Sequence, residues 1–406
     1  MTSSDPDKNW RSLLGCLPKD YEQLAVTHKV VNTQWPNAEI RSAEGFLRLC
    51  LVHVGADLPL RQTVAVVAQA GGPDISHVVL HKKMRAAAPY FADLVARIVS
   101  VGPEAGRELW AGYELCAVDA TTACGPGAES TDARIHAVIR LSDVRILKAE
   151  VTDEKGGETF RRFMWEEGQL VIADRGYSNA PGVAWVVSQG ADVLVRVNRW
   201  SMPMYDEGGI IDVMGWLRGL QGQRATERAA TLHAGSGKAM QTVTGRLVAV
   251  RLPPKEAADA RRRVRKEHGS RATEEQLEVA AYVVLYTTAP GDRLSSARCI
   301  DAYRLRWQVE LMFKRWKSLC HFDRLPNYRD DTIRSWLTVK VLLGALLDKM
   351  GSDASELFPP PPRPIDRRSR VFRETCGRST PRTTALEADN YSLAGDGRRH
   401  TSIAAS

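Results

Sequence analysis

The chain has 406 residues, 44% hydrophobic and 26% charged, which is an ordinary globular composition with length for two or three domains. A formal net charge of +8 and a pI near 9.1 point to a polyanionic partner. Seven cysteines, an odd number with no C-x-x-C pair, argue against a disulfide scaffold and a thiolate zinc site. The N-terminus lacks the basic-then-apolar order of a secretory signal, and WLTVKVLLGALL, interrupted by Lys340, falls short of the roughly 20 residues that span a bilayer. The expectation is a reduced, cytoplasmic protein that works on nucleic acid and not in a membrane.

Residues 10 to 100 carry apolar runs at helical spacing, so residues 1–105 read as a helical N-terminal domain. Within it RQTVAVVAQ, the breaker AGGPD and Ser76 as an N-cap lead into a helix bearing His77, His81, Lys82, Lys83 and Arg85. That order has the form of a helix-turn-helix, which would place Lys82, Lys83 and Arg85 on DNA. A plain helical hairpin with a solvated basic face fits the same residues.

From Tyr113 the period changes. YELCAVDATT, ARIHAVIRL and VRILKAEVTD are strand-like, and ETFRRFMW, QLVIADRGY, PGVAWVVSQG and ADVLVRVN continue as helix, strand, helix, strand. This predicts a mixed α/β sheet over 106–199. Asp119 leaves ELCAV and Asp174 leaves QLVIA, each at a strand end where ligands gather in α/β sheets, although each also reads as a turn-starting Asp. Residues 200–290 hold a helix-like GIIDVMGWLRGL, three β runs and the basic RRRVRKEHGSR, and read as a mostly β insertion. Residues 291–350 return to helix. The Pro-, Ser- and Arg-rich tail, 351–406, is expected to be disordered.

The segment YRLRWQVELMFKRWK, 303–317, is two-sided. At about 100° per residue from Tyr303, Arg306, Glu310 and Lys317 fall at about 300–340°, while Leu305, Val309, Met312, Phe313 and Trp316 cover the opposite, core-facing arc. On this helix alone Arg306 and Glu310 could be an exposed i,i+4 pair. With Asp119 and Asp174, however, Glu310 makes a set of three carboxylates, hard oxygen donors of the kind that hold Mg²⁺ beside phosphate. GSGKA at 235–239 lacks the features of a phosphate-binding Walker loop, and no H-E-x-x-H or G-x-S-x-G is present.

Tyr303, Arg306, Glu310 and Lys317 match Tyr-x2-Arg-x3-Glu-x6-Lys at every position. With DATT around Asp119, TDARIH, ADRGY around Asp174 and VVLYTTAP, the chain resembles DDE-class insertion-sequence transposases of the IS-four type over roughly residues 10 to 350. The resemblance implies an RNase H-like core interrupted by the β insertion, with Asp119, Asp174 and Glu310 as the metal triad for two Mg²⁺ ions, for which Mn²⁺ can substitute. It implies that Tyr303, Arg306, Lys317 and Arg175 contact DNA, and that Tyr282 stands where relatives stack an aromatic on a flipped base. The implied activity is cut-and-paste transposition: cleavage at terminal inverted repeats of double-stranded DNA and strand transfer to a target, by a homodimer. Ala120, Ala133 and the tail depart from the family pattern. A nuclease without strand transfer, or an inactive DNA-binding regulator, are the alternatives.

Overall fold

The computed structural model describes residues 6–31, 40–100, 110–125, 132–198, 201–235, 237–322, 325–326 and 330–357. The N-terminal region is helical, as its apolar spacing requires: α1 (Pro6–Gly15), α2 (Tyr21–Thr27), α3 (Ala43–Gly55), α4 (Leu60–Gln69), α5 (His77–Ala86) and α6 (Ala88–Ser100). Ser76 caps α5, its hydroxyl accepting from the Val79 amide at 3.2 Å. The basic residues of α5 divide. Lys83 Nζ donates to the Val30 carbonyl at 3.2 Å and Arg85 pairs with Asp331, whereas Lys82 is exposed. Two of the three cations expected on DNA are thus engaged within the chain.

Strands β1 (Glu114–Ala123), β2 (Ala133–Arg140) and β3 (Arg145–Asp153) form an antiparallel meander, and β4 (Gln169–Ala173) and β5 (Asp192–Arg196) follow, with α7 (Ala180–Val187) crossing between them. β4 runs parallel to β1 and to β5. Along these strands alternate residues enter opposite cores. Leu115, Ala117, Leu170, Ile172 and Leu194 face the core shared with the helical region; Cys116, Val118, Val171, Ala173, Val193 and Val195 face the other. Burial on both faces explains why these strands read as near-continuous apolar runs.

The helix expected over ETFRRFMW is only a 3₁₀ turn, Phe160–Arg162. Its aromatics spread into the second core, and indole N–H groups take the backbone carbonyls: Trp165 Nε1 donates to Phe160 O at 2.9 Å and Trp185 Nε1 to Phe163 O at 3.0 Å. GIIDVMGWLRGL is helical over only half its length. It contributes to the short edge pair β6 (Tyr205–Asp206) and β7 (Gly209–Ile210), and only α8 (Val213–Arg218), capped by Asp212, is helical.

β8 (Thr226–Ala234) and β9 (Gln241–Arg251) are joined to β10 (Tyr282–Thr287) through the exposed basic helix α9 (Pro254–His268) and α10 (Glu274–Val279). β9 pairs with β10 and β10 with β5, so the insertion lengthens the existing sheet: the order is β3-β2-β1-β4-β5-β10-β9-β8-β6-β7. The boundary expected at 199/200 therefore falls inside one continuous sheet. Tyr282 Cα faces Arg251 in this ladder, and its side chain, 6% exposed, lies in the second core with Val284 and Ala281. This corrects its expected role. A ring packed among core residues has no face to offer a base.

Chain 303–317 is not one helix. α11 (Ser296–Leu305) and α12 (Trp307–Cys320) meet at Arg306, where tighter i→i+3 bonds run from Arg306 N to Tyr303 O and from Val309 N to Arg306 O, both 3.1 Å. Val309, Met312, Phe313 and Trp316 are buried as their spacing predicts. α13 (Asp330–Leu357) runs past the boundary expected at 350, and the tail from 358 lies outside the described residues. Gly344 of α13 lets Trp316 close in, since a Cβ there would stand 2.9 Å from the indole. Lys340 is fully buried: its Nζ donates to the His321 carbonyl at 2.5 Å, near Asp57 Oδ1 at 3.6 Å. It ties the end of α12 to the loop after α3. Among the described residues, no helix is long and apolar enough to cross a membrane.

Replacing Lys340 by Ala leaves the His321 carbonyl without its donor and removes fully buried methylenes, so urea unfolding is expected to show a loss of about 2–4 kcal/mol.

Candidate active site

The parallel pairing of β1 and β4 assembles the first half of the site. Glu114 faces Gln169, and the register continues through Ala117 and Ile172, each residue opposite the one 55 positions later. Asp119 and Asp174 are also 55 apart, so the same register carried two residues further sets them side by side where β4 ends. Asp119 does not leave its strand as expected. β1 continues to Ala123 on its pairing with β2, and Asp119 faces Ala137. By alternation both aspartates share the face of Ala117 and Ile172, the face on which α11 and α12 pack. Their spacing in sequence is thus their spacing in the sheet.

Asp174 also begins the 3₁₀ turn Arg175–Tyr177, accepting from the Gly176 amide at 2.8 Å. Its turn-forming role and its place in the site coexist. Asp119, its side chain 13% exposed, accepts from the Ala120 amide at 2.8 Å. Burial, then the neighbouring Asp174, push its carboxyl up to about 7, against the pull of Arg306.

The second half arrives at the junction of α11 and α12. Arg306 Nη1 donates to Asp119 Oδ2 at 3.1 Å, and Nη2 donates to Glu310 Oε1. One guanidinium therefore ties the first strand to the glutamate helix. Its charged state is favoured overall: burial works against it, and Tyr303, Glu310 and Asp119 outweigh that. The guanidinium also lies 5.7 Å from the Tyr303 ring centroid, and its Nε is buried without an acceptor among the described residues. Lys317 follows Glu310 by seven residues, about two helical turns along α12. The i,i+4 pair Arg306–Glu310 is real, but it is anchored to a strand through Asp119 and is no isolated surface pair.

Two further groups were not visible from sequence. Glu158, in the loop after β3, reaches the neighbourhood of Asp174, and the buried Tyr177 lies within the influence of all of these carboxylates. Arg175 and Arg196 help line a cleft of about 760 Å³ under α9, together with Arg263, Glu267, Val283 and Val284. Arg175 is thus both within reach of Asp174 and part of the cleft lining. Lys82, by contrast, belongs to α5 and not to this constellation.

The donor set is all carboxylate and crowded with like charge, which suits a hard divalent cation. Among the described residues no three His, Cys, Asp or Glu side chains converge tightly enough to form a ready-made metal cage. The cause is in the geometry: Arg306 stands between Asp119 and Glu310 and supplies the positive charge.

Asp119 in the folded chain titrates near 7, against about 3.9 when unfolded. Stability conferred by its neutral form is full below pH 4 and lost as pH rises through 7. In chelator, Asp119→Asn is therefore expected to exceed wild type by about 1–3 kcal/mol at pH 8, the gap closing toward pH 4 in chemical denaturation.

Residues 110–344 match the family model described as the transposase DDE domain. The chain is 33% identical over 361 residues to the InsL protein of insertion sequence element IS186A of Escherichia coli (strain K12), covering 87% of this chain and 96% of that one. It is 33% identical over 362 residues to the transposase for insertion sequence element IS421 of Escherichia coli, with the same coverage. A solved piggyBac transposase synaptic complex with hairpin DNA aligns over 96% of this chain and 88% of that one, with a TM-score of 0.40 and 10% identity, too distant to bear on the site.

Proposed function

Because the chain belongs to the DDE transposase family and is an enzyme of DNA transposition, we propose that Asp119, Asp174 and Glu310 are its divalent-cation ligands, for two Mg²⁺ or Mn²⁺ ions. The observation that carries this is the shared register of the two aspartates on the face where Arg306 holds Glu310. The strand order β3-β2-β1-β4-β5, with an antiparallel meander leading into parallel strands, supports an RNase H-like core. The substrates on this reading are the terminal inverted repeats of its own element and a target duplex, engaged by a homodimer.

Cations at the three carboxylates would stabilise the attacking and leaving oxygens of in-line phosphodiester displacement. The residues of the chain divide the remaining work. Asp119, fixed by its pairing opposite Ala137 and by the Ala120 amide, and Asp174, held just past β4 by the Gly176 amide, keep two carboxylates in place before DNA arrives. Arg306 holds Asp119 and Glu310 in the DNA-free protein. A backbone phosphate offers it a bidentate anionic partner, so transfer of the guanidinium to DNA would release both carboxylates to the ions. Lys317, Tyr303 and Arg175, arranged about Glu310 and Asp174, would hold the strand being cut. Lys82 on the capped helix α5 would take a phosphate further along the end.

Asp119→Asn, Asp174→Asn and Glu310→Gln are each expected to lower Mg²⁺-dependent nicking of a duplex carrying the flanking inverted repeat by about a hundred- to a thousandfold, a loss typical of a missing transition-state charge contact. Binding of the same duplex should persist. Wild-type-like nicking by any one variant removes that residue from the site.

Lys82→Ala is expected to lower the log–log salt slope of end binding by about 0.9, the amount due to one phosphate contact. An unchanged slope in a salt titration returns α5 to a solvated face.

A further inference from the structure

Asp174 has a carboxylate neighbour that the triad leaves out. The loop after β3 turns Glu158 inward over Gly176: a Cβ added to Gly176 would lie 1.6 Å from Glu158 Oε2 and 3.2 Å from Asp174 Oδ1. With glycine at 176, carboxylates from two separate segments meet over that backbone position. The exposed Glu154 and Lys155 of the same loop show where Glu158 would otherwise sit, in water.

The loop is held in this shape. Arg162 Nε donates to Gly157 O at 2.9 Å and Nη1 to Glu150 Oε2 at 3.3 Å, while Thr159 Oγ1 accepts from the Arg161 amide at 3.3 Å and Phe160 is fully buried. Within reach of the cluster's charge, the Tyr177 ring is fully buried, and its hydroxyl has no hydrogen-bond partner among the described residues. The charges acting on that hydroxyl are those of Glu158, Asp119 and Asp174, with Arg162 opposing. A buried polar atom without a partner, within reach of that charge, is one that a further group would satisfy.

Two carboxylate oxygens that meet over Gly176 repel each other unless a cation or a shared proton lies between them.

We propose that Glu158 is a fourth carboxylate of the divalent-cation site, brought in across Gly176 from the loop between β3 and β4 to act beside Asp174. The inference rests on the triad reading above.

The test is Mn²⁺ binding to the full chain on an end duplex, read as free Mn²⁺ by electron paramagnetic resonance, for wild type, Glu158→Gln, Asp119→Asn and the same-loop control Glu154→Gln. The expected result is a Kd for Mn²⁺ raised about tenfold or more by Glu158→Gln, as by Asp119→Asn, with Glu154→Gln unchanged. If Asp119→Asn weakens binding and Glu158→Gln does not, the fourth-carboxylate proposal is overturned and the triad stands. If Asp119→Asn binds as wild type does, the triad reading falls and the proposal with it. A second measurement uses the unaltered protein, so it does not depend on how a variant folds: Fe²⁺ with ascorbate and peroxide cleaves backbone near a bound ion. Scission beside Glu158 as well as near Asp119 and Asp174 is expected. Scission near both aspartates but not at the Glu158 loop overturns the proposal.

Discussion

A single guanidinium holds the two halves of the site together. Asp119 and Asp174 are placed side by side by strand register, and Glu310 comes from a helix 136 residues later in the chain than Asp174. Unit charges about 4 Å apart interact by about 4 kcal/mol at an effective dielectric near 20, so three carboxylates cannot gather without a countercharge. Arg306 provides it, donating to Asp119 and Glu310 at once. Its position at the junction of α11 and α12 follows from the same need. The tighter turn there aims Arg306 at the strand, while Val309, Met312, Phe313 and Trp316 seat α12 in the core.

The rest of the architecture protects that arrangement. Strands with apolar side chains on both faces make β1, β4 and β5 a rigid floor, and Trp316 against Gly344, with Lys340 capping the end of α12, fixes the helix above it. The inserted strands extend the floor through β10, which opens a cleft between the sheet and α9 whose lining includes Arg175 and Arg196. Its lining mixes arginines with Glu256, Glu267 and Glu275 and with apolar residues of α8, α9 and β10. Net charge alone, spread over the chain, would not have localised it.

What could be read from the sequence had short-range causes. The N-terminal helices, the strands and the buried arc of α12 follow from periodicity, and Ser76 caps α5 as its position before the helix predicts. Asp119 and Asp174 were recognisable because each stands near the end of an apolar strand. The errors share a different cause: tertiary packing decided where local pattern was silent. Indole hydrogen bonds unmade the helix at ETFRRFMW, strand pairing carried β1 past Asp119, and the core claimed the ring of Tyr282. That Lys83 and Arg85 are engaged within the DNA-free chain, by Val30 and Asp331, depends on partners from distant segments that no local pattern reveals. Glu158 had no sequence signal of its own, since a glutamate after two glycines becomes informative only when Gly176 is seen beneath it.

The central claim is that Asp119, Asp174 and Glu310 bind the ions of catalysis, and replacing an oxygen donor by sulfur tests it most directly. Asp119→Cys, Asp174→Cys and Glu310→Cys would each present a soft ligand that Mg²⁺ disfavours and Mn²⁺ tolerates. Nicking of end duplex by each variant should be absent in Mg²⁺ and recover in Mn²⁺. Nicking at the wild-type rate in Mg²⁺, or no recovery in Mn²⁺ by any of the three while end binding is intact, would contradict the account.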